Sequence, residues 1–161
     1  MDGLAMLYTR RSVRQFKPDP VPADLLEKII LAGSLAATAR NVQPWEFVAV
    51  TSAALRQRLA GIAENGKFIA VSPVCIAVFC EETKYFLEDG SAATQNLLLA
   101  ARYFGLGSCW VAGDKKPYAE EIRELCGVAP GKRLISLVAV GFPQDPSVFR
   151  QREAKIRYRV L

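Results

Sequence analysis

Residues 89–104 read DGSAATQNLLLAARYF, and this stretch decides what kind of fold the chain can adopt. Ala92, Ala93, Leu97, Leu98, Leu99, Ala100 and Ala101 spread apolar side chains over a face too broad for a helix with one side in water. Such a helix, ended by Gly105, must be covered on several sides, by the rest of its own fold and by a partner subunit.

Working outward, Ser108 to Ala112 reads as a short apolar strand, Tyr118 to Cys126 as a helix and Leu134 to Val140 as a final β-branched strand, followed by a basic, extended tail. On the other side Val74 to Phe79 is a strand. Before it lies a helix capped by Thr51 or Ser52, with Leu55, Leu59 and Ile62 inward and Asn65-Gly66 as its stop. Trp45 to Val50 is a buried strand, and Ser34 to Val42 is a loop. Pro22 opens a helix that turns Leu25, Leu26, Ile29 and Ile30 inward and that Gly33 helps to close. Asp2 to Thr9 forms a first short helix, and the prolines from Lys17 to Val21 enforce an extended link. The order predicts an α+β fold: a three-layer sandwich in which a central mixed sheet is flanked by helices, forming one domain over residues 1–161.

Composition narrows the partners. Half of the 161 residues are apolar, which fits a chain that buries a core and rules out a disordered one. The formal charge of +5 is concentrated near the two ends, in Arg10, Arg11 and Arg14 and in Arg150, Arg152, Lys155, Arg157 and Arg159. The cations line no single helix face and are not interleaved with aromatic platforms, so the pattern suits a compact anion better than a nucleic acid. Without histidine or a CxxC pair, Cys75, Cys80, Cys109 and Cys126 predict buried free thiols and no metal site. Cys75 and Cys80 fall on opposite faces of their strand. Free thiols, no export signal after Met1 and no apolar run long enough for a bilayer lead to the expectation of a cytoplasmic protein.

Two nucleotide-binding patterns fail on inspection. Residues 61–68, GIAENGKF, place Phe68 where a phosphate-binding loop needs a magnesium-holding hydroxyl, and they follow a helix rather than a strand. Gly105-Leu106-Gly107 lacks the third glycine of a dinucleotide fingerprint, because Trp110 stands there. The opening basic motif is more informative. In an extended Arg10-Arg11-Ser12-Val13-Arg14-Gln15-Phe16, residues Arg10, Ser12 and Arg14 share one side, and guanidinium forks with a hydroxyl match phosphate oxygens. The same motif could equally be a basic turn of ordinary surface arginines.

With these residues in view, the chain resembles the nitroreductase family, in which an RRSVR-like element follows the first helix and a loop ending in NxQPW precedes a strand. The second element is present as Thr38-Ala39-Arg40-Asn41-Val42-Gln43-Pro44-Trp45, and residues 89–96 and 105–110 extend the likeness over most of the chain. The resemblance implies bound FMN and a homodimer. Arg10, Ser12 and Arg14 would hold the phosphate and ribityl end with Arg11 nearby, and Thr38, Ala39 and Asn41 would approach from the other subunit. Val111, Ala112 and Gly113 would lie beside the flavin ring, and Lys155 and Arg157 would complete the phosphate cage. Thr38 stands where serine is commoner, and Ala112 where larger relatives carry glutamate.

A flavin supplies its own redox chemistry and asks the protein for anchoring and electrostatics, so no catalytic side chain is expected and the lack of histidine costs nothing. The resemblance therefore implies an oxidoreductase passing hydride from NAD(P)H through FMN to a nitroaromatic or quinone by a ping-pong mechanism. The alternatives are a flavin-binding or interaction protein with little turnover, separated by reduction of its flavin, and an RNA-binding module, separated by a steep salt dependence.

Overall fold

A computed structural model describes residues 2–151 and 153–161. Five α-helices and four strands follow one another as α1 (Gly3–Thr9), α2 (Ala23–Ser34), β1 (Trp45–Val50), α3 (Ala53–Ile62), β2 (Val74–Glu81), α4 (Phe86–Tyr103), β3 (Gly107–Ala112), α5 (Ala119–Leu125) and β4 (Lys132–Gly141). Caps fix several ends. Asp2 accepts from Leu4 N, and Ser52, not Thr51, accepts from Leu55 N. Pro22 takes the N-cap position of α2.

The sheet has the order β1-β2-β4-β3, and every neighbouring pair is antiparallel. The expected mixed sheet is therefore corrected. α4 does carry the chain back so that β2 and β3 run in the same direction, but β4 inserts between them and turns both contacts antiparallel. Among the described residues, the parallel contact is an isolated bridge between Ser12 and Ser108 at the outer edge of β3.

Side chains alternate across β2 to make two cores. Val74, Ile76, Val78 and Cys80 pack with Ile29 of α2 and Leu97, Leu98 and Ala101 of α4. Cys75, Ala77 and Phe79 pack on the other face with Leu59 of α3, Ile122 of α5 and Ile69. Helices thus cover both sides of the sheet, and Cys75 and Cys80 do face opposite ways. α4 begins three residues before its anticipated start at Asp89, so Phe86, Leu87 and Glu88 are helical as well. Gly33 lies within α2 and is needed for close approach instead of closure: a Cβ there would come within 2.7 Å of Leu97 Cδ2. Among the described residues no helix is long and apolar enough to cross a membrane.

Candidate functional site

The opening basic motif folds into an extended segment laid against the start of β3. Val13 N donates to Ser108 O at 2.9 Å, and Lys17 N donates to Phe142 O at 2.9 Å. Val13 and Phe16 go into the core, while Ser12 and Arg14 remain exposed. Gly107 makes this docking possible, because a Cβ on it would stand 2.7 Å from that of Val13.

Where this segment meets the exit of β4, a cavity of about 560 Å³ opens, with Arg11, Ser12, Arg14, Ser147 and Arg150 in its lining. Asp145 also lines it, but that carboxylate is engaged in its own turn: its oxygens accept Ser147 N at 2.8 Å and Ser147 Oγ at 2.7 Å. The hydroxyl and backbone bonds from Ser147 hold Asp145 below the usual carboxylate range. Three guanidinium groups against one carboxylate leave an excess of positive charge, which suits the terminal dianion of a phosphate monoester such as FMN.

Neighbouring cations set the shape of this cavity. Arg14 stacks over the Phe68 ring at 5.6 Å. Arg102 of α4 donates to Thr9 Oγ1 at 2.9 Å and lies 4.0 Å over the Phe149 ring, which fixes the chain beside Arg150. Burial lowers the Arg102 pKa from its ordinary value. Arg10 caps the end of α1 and, with Arg14 and Ser12, offsets the rise that burial imposes on the Cys109 thiol. Arg11, Ser12 and Arg14 are thus on the cavity wall, whereas Arg10, at the C-cap of α1, is not in that lining. Lys155 and Arg157 belong to an exposed tail and are not in that wall, and Arg152 lies outside the described residues.

The other motif is far away. Thr38, Ala39 and Asn41 precede β1, at the end of the sheet where Trp45 pairs with Cys80 and Cys80 with Arg133. Ser12 touches the opposite end, on the opposite edge. Three strand spacings and some seven residues of strand length separate the two motifs by on the order of 25 Å. One chain does not bring them together.

The loop is held in an unusual shape. Arg40 and Asn41 both have φ of 56° and Gln43 has 51°, left-handed values that cost non-glycine residues on the order of 1 kcal/mol or more each. Thr38 Oγ1 donates to Asp89 Oδ2 at 3.0 Å, Ala39 N donates to Asp89 Oδ1 at 3.0 Å, and Gln43 N donates to Thr38 Oγ1 at 3.2 Å. Gln43 Nε2 also donates to Asn41 Oδ1 at 2.8 Å.

Val111, Ala112 and Gly113 lie farther along β3. Val111 sends its side chain into the core beside Leu137, so a ligand at this edge would meet its backbone; Ala112 is exposed. Gly113 N donates to Ile135 O at 2.9 Å, and a side chain there would strike Leu134. From the Ser12 bridge to these residues is roughly 10 to 17 Å along the strand, room for an elongated ligand with its anion at one end. No local pattern marks Pro143, Asp145 and Ser147, which reach the cavity from about 130 residues away through the Phe16–Pro143 bridge. In the sequence Asp89 looks like an ordinary acidic residue at the start of its helix, so no local pattern marks it as a buried anchor.

Comparison with known proteins bears on the chain as a whole. The model of the nitroreductase family matches residues 7–72 and 73–142. A relative from Archaeoglobus fulgidus, named "putative NADH dehydrogenase/NAD(P)H nitroreductase", is 32% identical over 157 residues, covering 93% of this chain and 90% of its own. A solved structure of the same name from Bacteroides thetaiotaomicron superposes with a TM-score of 0.87 at 28% identity, over 96% of this chain and 92% of that one. An FMN-dependent nitroreductase from Clostridium difficile gives 0.84 at 26% identity, over 97% and 91%.

Proposed function

This chain belongs to the nitroreductase family, and from that premise we propose that it holds FMN and passes hydride from NADH or NADPH to an electron-poor acceptor. The observation that carries the reading is the cavity wall of Arg11, Ser12, Arg14 and Arg150, an array of donors suited to a phosphate group. When bound, FMN supplies the hydride-accepting and hydride-donating chemistry. The chain's own work is to anchor the phosphate there, to lay the ligand along the β3 edge toward Ala112 and Gly113, and to keep one open face for reductant and acceptor in turn. A nitroaromatic or quinone is the acceptor class.

The complete site is a product of two chains. Because the loop of Thr38, Ala39 and Asn41 lies at the far corner from its own cavity, it serves the cavity of a second copy. An apolar surface is available for that pairing. Leu4, Leu7 and Tyr8 of α1, Leu31 of α2, Leu35 at its C-cap and Tyr103 of α4 are all exposed, and Met6, Leu35, Leu99, Tyr103 and Phe104 line a groove of about 400 Å³ on these same helices. Lys155 and Arg157 follow Arg150 by five and seven residues, so an extended tail of at most roughly 24 Å can return both to the phosphate end.

Absorption spectra of purified protein test the reading. A yellow protein whose flavin bands bleach anaerobically with NADH or NADPH is the expected result. Bound flavin that neither nucleotide bleaches would leave a binding protein with little turnover, and protein that takes up no added FMN would end the proposal.

A further inference from the structure

The turn between Thr38 and Gln43 holds three residues in left-handed conformations, and its anchor comes from a different element. Asp89, in the first turn of α4, is only 5% exposed. A carboxylate buried so far is ordinarily matched by a cation. Here each oxygen instead accepts one bond from the loop, from Thr38 Oγ1 and from Ala39 N. The start of α4 supplies a favourable field for that charge.

Thr38 passes the hold onward. Its hydroxyl donates inward to Asp89 and accepts Gln43 N from across the turn, so both of its functions are used within the protein. Arg40, Asn41 and Val42 lie between the held positions Ala39 and Gln43, and the first two are left-handed. Without the carboxylate, the hydroxyl is free to rotate, and the bonds that remain, such as Gln43 Nε2 to Asn41 Oδ1 and Val42 N to Ala39 O, are internal to the loop and do not anchor it to α4 against relaxation of Arg40, Asn41 and Gln43.

We propose that Asp89 is the positioning residue of the ligand site: acting through Thr38, it locks residues 39–43 in the shape that offers Asn41 to FMN across a subunit boundary. The inference rests on the flavin reading above, which is what gives the loop a ligand to meet. It assigns Thr38 an inward, structural hydroxyl in place of a direct bond to the ligand.

The test compares the parent with Asp89→Asn, Thr38→Val, Thr38→Ser and the double variant Thr38→Val/Asp89→Asn, each titrated with FMN by fluorescence quenching. Asparagine can still accept Ala39 N, but its amide nitrogen presents hydrogens to Thr38 Oγ1, which then loses the acceptor for its own proton. The expected result is about tenfold weaker FMN binding for Asp89→Asn and for Thr38→Val, the worth of one charge-assisted hydrogen bond. Thr38→Ser stays within about twofold of the parent because it restores the hydroxyl, and the double variant is no weaker than Asp89→Asn, because the two groups act as one. A readout independent of flavin accompanies this: trypsin should cut ligand-free protein after Arg40 faster in Asp89→Asn and Thr38→Val than in the parent or Thr38→Ser.

Wild-type affinity and wild-type cleavage in both single variants would overturn the role, as would losses that simply multiply in the double variant. Should Asp89→Asn fail to fold, Thr38→Val against Thr38→Ser decides. A parent that binds no FMN would sink the flavin reading and this role with it, while the cleavage pattern would still report whether the clamp on the loop exists.

Discussion

Arg14 shows what a single side chain contributes in this molecule. It leaves the extended segment one residue after buried Val13, lines the cavity and rests over Phe68. Its removal should leave the fold in place, since the guanidinium is exposed, but Arg14→Ala should weaken FMN binding by about 1.5 to 3 kcal/mol, measurable by titration. Unchanged affinity would take Arg14 out of the site. The buried thiols make a second residue-level prediction. Burial, and then the charge of Asp89, push Cys80 from an ordinary 9.0 up to about 12, while burial raises Cys126 to about 11 and Cys75 further. A raised folded-state pKa means the unfolded chain gives up its protons first. Stability from these groups is therefore complete below pH 9.0 and is lost progressively toward about pH 12. Urea midpoints should fall over that interval, and Cys80→Ala should flatten the fall.

Elements were legible from sequence in proportion to how local their determinants are. β1 is legible to the residue because Pro44 and Thr51 bracket an aromatic and β-branched run. α4 was harder to delimit. Asp89 has the look of a helix boundary, yet Phe86 and Leu87 already belong to the helix, and the carboxylate is a buried anchor for another segment. Gly33 misleads in the same manner, since a glycine near a helix end also permits close helix packing. The Gly33→Ala variant tests which role holds. Improved helix propensity of about 1 kcal/mol opposes an overlap with Leu97, which is fully buried and has nowhere to move. The overlap should win, lowering the thermal midpoint by a few degrees; a raised midpoint would show that the packing yields.

At the level of the whole molecule, strand order and the far wall of the cavity were hidden in the sequence because both depend on contacts between distant segments. No local pattern places β4 between β2 and β3, or Ser147 and Arg150 opposite Ser12. The two motifs proposed to meet the ligand were visible as motifs; their separation across the sheet was not. Pairing of two chains through α1, α2 and α4 should answer that separation, and Leu35, 73% exposed beside the apolar groove, is the place to test it. Leu35→Asp should sediment as a monomer at micromolar concentration and lose FMN with its partner, whereas far-ultraviolet circular dichroism stays that of the parent. A dimer that tolerates the aspartate would place the interface elsewhere.

The distance between the loop before β1 and the cavity beside β3 has a genetic corollary. If each site draws one motif from each chain, two defective alleles can rescue one another. Chains carrying Arg14→Ala and chains carrying Asn41→Ala, each weak in FMN binding when purified alone, would on random reassortment give hybrids in which both lesions fall in one site and the other site is intact. About a quarter of all sites would then regain the parental affinity, and mixing would restore a tight-binding population that neither variant possesses alone.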